Sequence, residues 1–109
     1  MSREFLDYVE DILDAMEKAE ILLAGVTYEQ FASDFRINFA VIRALEIIGE
    51  AADRIPIEFQ MEHTEIEWRQ IISFRNRLIH GYDSIDFDIM WSIIQSDLPE
   101  LIDKLEKII

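Results

Sequence analysis

The chain has 109 residues, half of them apolar, and its 23 acidic and 10 basic side chains give a formal charge of −13. This apolar content, with only three glycines and two prolines, excludes a disordered chain and a turn-rich all-β fold. The absence of cysteine excludes disulfides and thiolate zinc sites. No apolar run reaches the roughly 20 residues that span a bilayer, and the acidic N-terminus is unlike a signal peptide. We therefore expect one soluble, cytoplasmic domain over residues 1–109.

The first predicted helix has one apolar face and one acidic face. Ser2 is a candidate N-cap, and Gly25 is a natural stop. The acidic face is best explained as a solvated helix surface. The apolar stripe comprises Phe5, Leu6, Val9, Ile12, Leu13 and Met16.

A second helical segment should begin at Thr27, because Thr27-x-x-Gln30 has the pattern of a capping box. An interruption near Ser33 and Asp34 separates a short turn from a long helix, Phe35 to Arg54. Apolar residues leave little purely polar surface on this helix, so we place it centrally, between neighbours. They are Phe35, Phe39, Ile42, Leu45, Ile48, Ala52 and Ile55.

Pro56 should end the long helix, and residues 56–63 should form a loop. The pattern Thr64-x-x-Glu67 predicts a third helix that starts at Thr64 and runs to Gly81, a suitable C′ residue. Its expected buried side consists of Ile71, Ile72, Leu78 and Ile79, with Trp68 and Phe74 as further candidates.

The fourth helix should follow the capping residues of 83–86, and its apolar residues keep the strict 4-3 spacing of a bundle seam. Pro99 predicts either a kink or a fresh start with Asp97 as the cap. Four helices with short connections predict an all-α, antiparallel four-helix bundle with a long central second helix. The seam residues are Phe87, Trp91, Ile94, Leu98, Leu101, Leu105 and Ile108.

The most informative segment is residues 68–82, here called the basic segment. It holds Arg69, Arg75, Arg77 and His80 with no acid, whereas the flanks are strongly acidic: residues 1–34 carry nine acids against two bases. A basic segment in an acidic protein suggests an anionic ligand.

Within this segment, the pattern Arg75-x4-His80-x-Tyr82 combines a fixed cation, a proton carrier and a phenol. A guanidinium binds phosphate oxygens and can stabilise charge that develops in a transition state. Imidazole can exchange a proton near neutral pH. Asn76 lies one turn before His80, where it could orient the imidazole or hold a phosphate oxygen.

Helical geometry complicates this pattern, because five residues rotate the helix by about 140° net. Arg75 and His80 therefore do not share a face of a straight helix. Either the helix unwinds before Gly81, or two subunits meet across a two-fold axis and line one cleft. A simpler alternative is a helix C-terminus whose cations satisfy the macrodipole, with His80 and Tyr82 packing its end.

The residues Arg75 to Tyr82 (RNRLIHGY) resemble the R-x4-H-x-Y signature of HEPN-domain proteins, in particular the HepT-like ribonuclease toxins. The residues Ala40 to Ala52 (AVIRALEIIGEAA) are similar to the family's second helix, including its Gly-Glu-Ala. Trp68, and the segment Trp91 to Leu101 (WSIIQSDLPEL), also match, so the resemblance covers nearly the whole chain.

The resemblance implies a helical bundle that dimerises, with both motifs in a shared cleft, and metal-independent RNA cleavage. It implies that Arg75 and His80 are catalytic, with Asn76 as the supporting polar residue. We also expect a supporting role for Arg77. It also implies a minimal nucleotidyltransferase antitoxin (MntA-like) that silences the toxin by adding AMP to Tyr82. We expect no metal site and no cofactor.

Two alternatives to a ribonuclease remain open at the level of sequence. The first is a non-catalytic helical module that binds a minimal nucleotidyltransferase and helps present its substrate. The second is a plain dimerising bundle. In the toxin interpretation the acidic flanks would serve the partner, and we expect the docking face of the antitoxin to be basic.

Overall fold

A computed structural model describes residues 3–108, and this range is helical with no β-strand. The predicted all-α fold is therefore confirmed, while the antiparallel order of the helices stays a prediction. The α-helices are α1 (Arg3–Leu23), α2 (Tyr28–Ser33), α3 (Phe35–Arg54), α4 (Ile57–Glu62), α5 (Trp68–His80), α6 (Phe87–Ser92) and α7 (Leu98–Ile108).

Helix α3 occupies the centre of the bundle, as predicted. Helix α1 packs on one side of α3, α5 packs on another, and α7 contacts α1. One hydrophobic core joins them, and Ile12, Ile48 and Leu105 are among its fully buried side chains. The proposed N-cap Ser2 lies outside the described residues.

The predicted capping box of α2 and the predicted interruption before α3 are confirmed. The backbone N–H of Gln30 donates to the Thr27 hydroxyl at 3.2 Å, and that of Thr27 donates to the Gln30 side chain at 2.9 Å. Asp34 then caps α3, because its carboxylate accepts from the backbone N–H of Arg36 at 3.0 Å. These two caps explain the interruption before the long helix.

The prediction of a loop over residues 56–63 is wrong, because α4 lies within it. The amide of Gln60, on α4, donates to the carbonyls of Ala52 at 3.1 Å and Ile55 at 3.0 Å. These bonds satisfy carbonyl groups at the end of α3 that no longer have helical partners.

The predicted start of α5 at Thr64 is also wrong, since the helix begins at Trp68. The indole N–H of Trp68 donates to the carbonyl of His63 at 3.0 Å, and Ile66 is buried in the core. Burying Ile66 and Trp68 together requires a turn over residues 64–67, which displaces the expected capping box.

Four apolar side chains of the predicted apolar faces are exposed instead, and one of them is Leu6 on α1, which is 49% exposed. Phe35 and Phe39 on α3 are 65% and 68% exposed, and Ile79 on α5 is 41% exposed. The neighbours of α3 cover only part of its circumference, so one apolar face at its start points outward.

Helix α6 begins after Asp86, as predicted, because the Asp86 carboxylate accepts from two backbone N–H groups. A π-helical segment, Ile93–Asp97, joins α6 to α7 without a break. The backbone N–H of Leu98 bonds to the carbonyl of Ile93, five residues back. The wider turn accommodates Pro99, so a fresh start capped by Asp97 does not occur.

Ile94, Leu101 and Leu105 are buried, in agreement with the predicted seam. Across residues 3–108, every helix is too short or too polar to cross a membrane.

Candidate functional site

Residues 68–80 of the basic segment form α5, and Gly81 is the C-cap of that helix. Gly81 has φ −115°, outside the left-handed region expected of a C′ glycine, and its N–H donates to the Arg77 carbonyl at 2.9 Å. The helix therefore does not unwind before Gly81. Arg75 and His80 project about 140° apart from one helix.

Arg75 faces α3, and only 16% of its side chain is exposed. This position depends on Gly49, which is buried in α3 directly opposite. A Cβ atom on Gly49 would collide with the Cβ of Arg75 and lie 2.7 Å from its Cγ. The missing side chain of Gly49 therefore lets the stem of Arg75 rest against the backbone of α3.

The guanidinium of Arg75 is tied to α3 at one corner. Its Nη2 donates to Oδ2 of Asp53 at 3.1 Å, in an ion pair whose carboxylate side chain is 54% exposed. Arg75 therefore has a buried stem and a guanidinium that is held by the half-exposed Asp53. Its buried Nε lacks a hydrogen bond among the described residues.

Asn76, Arg77 and His80 lie on the exposed side of α5. Within residues 3–108, no ion pair or hydrogen bond of their side chains is found, so of the two roles considered for Asn76, orienting His80 is not seen. The backbone of Tyr82 opens a 3-10 turn, but its side chain lies outside what the structure describes.

A groove of about 770 Å³ runs between α5 and the C-terminal helices. Arg69, Ser73 and Arg77 form its α5 rim, while Leu45 and Ile48 of α3 contribute to its apolar floor. Arg77 therefore borders a different surface from Arg75, although the two are close in sequence.

Asp53 and Gly49 were missed as site residues when the sequence was considered alone. A glycine inside a helix costs about 1 kcal/mol relative to alanine, which is a sign of close backbone approach. Asp53 lies one turn after Gly49 and so shares its face. Those two signals would have identified the surface of α3 that meets Arg75.

The other acids of α3, Glu46 and Glu50, are also paired with arginines. Glu46 forms an ion pair with Arg43 at 3.4 Å, and Glu50 forms one with Arg54 at 3.2 Å. Over the described range, no group of three or more metal-ligating side chains comes together.

The fold and the basic segment define an all-helical protein with cationic side chains on one continuous helix. The chain belongs to the ribonuclease HepT-like family, whose model matches residues 12–108. This membership agrees with the resemblance seen in the motif and in the second helix.

Relatives match the chain over nearly its full length. It is 44% identical to the protein named "Probable ribonuclease HepT" from Thermococcus cleftensis, covering 99% of this chain and 98% of that one. It is 35% identical to a protein of Caldanaerobacter subterraneus named as a candidate RNase, covering 94% and 91%. A candidate RNase of Methanocaldococcus jannaschii is 34% identical, with 95% of each chain covered. No solved structure matches the chain.

Proposed function

We propose that this protein is a metal-independent endoribonuclease, the toxin of a toxin–antitoxin pair. Its Arg75 and His80 would act on RNA in a cleft shared by two subunits, with Asn76 and Arg77 in support. The observation that carries this proposal is the position of Arg75 and His80 on α5, in a chain of the ribonuclease HepT-like family.

The reaction needs only groups that the motif supplies. A base removes the proton of a ribose 2′-hydroxyl, whose oxygen attacks the adjacent phosphorus. The bond from phosphorus to the 5′-oxygen breaks, an acid protonates that oxygen, and a 2′,3′-cyclic phosphate is left. Two His80 side chains divide the roles of base and acid, and Arg75 stabilises the added negative charge.

A two-fold assembly is proposed because one chain keeps these residues apart. Arg75 faces α3, whereas His80 is exposed about 140° away around the same helix. An isologous dimer can bring His80 of one subunit to Arg75 of its partner. It also doubles the local positive charge, which an acidic protein needs to hold a polyanion.

The exposed aromatic pair at the start of α3 is our candidate for part of the dimer interface. Phe35 and Phe39 meet edge to face, with ring centroids 5.9 Å apart. Two aromatic side chains that are each about two-thirds exposed favour a surface covered by another protein.

Regulation by a nucleotidyltransferase antitoxin belongs to the same proposal. AMP attached to Tyr82 would add an anionic phosphate and a bulky base beside the arginines, which would neutralise and block the cleft. The exposed acids of α1, among them Asp7, Glu10 and Asp11, offer a docking surface to a basic partner. Salt should weaken that complex.

The decisive experiment is cleavage of total RNA or tRNA in EDTA by the wild type, Arg75→Ala and His80→Ala. We expect cleavage by the wild type only, with a bell-shaped dependence on pH. An inactive wild type, an active His80→Ala variant or a flat profile between pH 5 and pH 8 contradicts the proposal.

The rival proposal is a non-catalytic module that binds the nucleotidyltransferase and presents its substrate. The observation that favours it is the absence of any contact between Arg75 and His80 within the described chain. This rival predicts that the protein binds the nucleotidyltransferase but leaves RNA intact, so the same cleavage assay separates the two.

A further inference from the structure

We infer that Asp53 is a positioning residue for Arg75, fixing the direction in which its guanidinium meets a phosphate. The kinetic part of this inference rests on the proposed ribonuclease function. The structural part, an orientation imposed by α3, stands on the described contacts alone.

Arg75 is confined by its packing against α3. Its stem lies against Gly49, where no Cβ intervenes, and its side chain is only 16% exposed. An arginine so placed has lost most of its rotamer freedom before any ligand arrives. The remaining choice is the direction of its planar head group.

Among the described residues, Asp53 alone holds the guanidinium of Arg75 by a side-chain hydrogen bond. Asp53 accepts from Nη2 at 3.1 Å, while Nε is buried without a partner. A carboxylate that bridged Nε and Nη2 would use the fork fully. Here the carboxylate holds one corner only, and no described residue accepts a hydrogen bond from Nη1, so we assign this nitrogen to the phosphate.

The negative charge of Asp53 beside Arg75 also needs a reason. An acid next to a phosphate-binding arginine weakens the local attraction for RNA, so it is unfavourable if Arg75 serves only as a positive charge. A fixed direction is a reason to keep it, because a misplacement of about 1 Å in a reacting group can cost about 100-fold in rate.

Glu50 provides a matched control for Asp53. Both are acids on α3 with similar exposure, 46% for Glu50 and 54% for Asp53, and each pairs with one arginine. Glu50 pairs with Arg54 and not with Arg75. Replacing either acid by alanine changes the net charge equally, so a difference between the variants reports on Arg75.

The kinetic test compares Asp53→Ala, Asp53→Asn and Glu50→Ala under single-turnover conditions, after thermal unfolding has verified that each is folded. We expect Asp53→Ala to lower the cleavage rate constant by about 10-fold to 100-fold. Glu50→Ala should cleave like the wild type, and Asp53→Asn, which retains an acceptor oxygen, should keep most of the rate. Binding of a fully 2′-O-methylated RNA should be equal for both alanine variants.

Two further kinetic outcomes can overturn the inference. If Asp53→Asn falls as far as Asp53→Ala, charge and not orientation is responsible. If Asp53→Ala lowers the rate as much in an Arg75→Ala background as in the wild type, the two residues act independently.

A measurement without RNA separates this inference from the proposed function. In a ¹⁵N-labelled protein, the Nε–H signal of Arg75 should exchange slowly with water, because that nitrogen is buried. Asp53→Ala should speed this exchange at least about tenfold, and Glu50→Ala should leave it unchanged. Equal exchange in both variants overturns the inference. If the wild type cleaves no RNA, the ribonuclease proposal fails, and this signal still decides the role of Asp53.

Discussion

Arg75 and His80 lie on the same helix, yet they are built into the protein in opposite ways. Arg75 is mostly buried against Gly49 and paired with Asp53, whereas His80 is exposed at the helix end without a described partner. A fixed cation works best when its direction is set by packing. A proton carrier must reach solvent or a second group. Arg75 is therefore packed against α3, whereas His80 faces solvent.

We expect the largest effects from replacing His80 and Arg75. Both replacements should lower activity, but only that of Arg75 should also lower stability. His80→Ala should lower RNA cleavage by about 100-fold or more and change the free energy of unfolding by less than about 0.5 kcal/mol. Arg75→Ala should lose activity and also about 1–3 kcal/mol of stability, because it empties a packed position. Cleavage assays and urea unfolding check both. Equal destabilisation by the two variants would show that Arg75 contributes no more to stability than His80.

The next prediction concerns Gly49, which packs against the stem of Arg75. Gly49→Ala should destabilise the protein by up to about 2 kcal/mol, since overpacking costs about 1–3 kcal/mol and the better helix propensity of alanine returns about 1 kcal/mol. Thermal unfolding measures it, with Ser73→Ala on the exposed side of α5 as the control. A more stable Gly49→Ala variant would mean that α3 and α5 separate easily.

The next prediction concerns Phe35 and Phe39, the exposed aromatic pair proposed as part of the dimer interface. Replacing both Phe35 and Phe39 by serine should weaken self-association about tenfold or more, because two exposed aromatic side chains lose their apolar contact. Folding should change little, since both positions are already exposed. Analytical ultracentrifugation gives the dimer dissociation constant, and an unchanged value would place the interface elsewhere.

Mixing subunits asks whether two His80 side chains serve one cleft. Equal amounts of wild type and His80→Ala, allowed to exchange, should retain roughly a quarter of the wild-type activity, because only wild-type homodimers carry both imidazoles. Independent sites would retain roughly half. The loss of activity as the proportion of variant rises distinguishes the two.

We expect the smallest effect at Asp34, the N-cap of α3. The side-chain hydrogen bond from Arg36, with further help from its backbone N–H, lowers the pKa of Asp34 below its ordinary value of 3.8. Asp34 therefore adds stability above that value, and the contribution is lost as the pH falls through the lowered pKa of the folded protein. Asp34→Asn keeps the cap and should show less acid destabilisation in thermal unfolding between pH 4 and pH 2. Parallel curves for the two proteins would contradict this assignment.

Much of the fold was predictable because local signals agreed with the tertiary structure. Asp34 and Pro56 bracket α3, and the box at Thr27 sets α2. The start of α5 failed because the burial of Ile66 and Trp68 overrode a valid capping pattern. Local sequence cannot weigh such long-range contacts.

The same limit applies to the candidate site. The angle between Arg75 and His80 followed from helix geometry, and the continuous α5 agrees with it. The pairing of Arg75 with Asp53, 22 positions apart, depends on how α3 and α5 pack together. The outward direction of Phe35 was equally invisible, because an apolar residue in a helix does not say which neighbour covers it.

Gly49 also specifies how far α5 can slide along α3. One turn to either side, the α3 positions carry side chains, Leu45 and Glu46 before it and Ala52 and Asp53 after it. A slipped helix would press the Cβ of Arg75 against one of them. The register in which Arg75 faces Gly49 is therefore sterically favoured over slipped ones, so a single missing methyl group helps to select the height of the motif along the bundle.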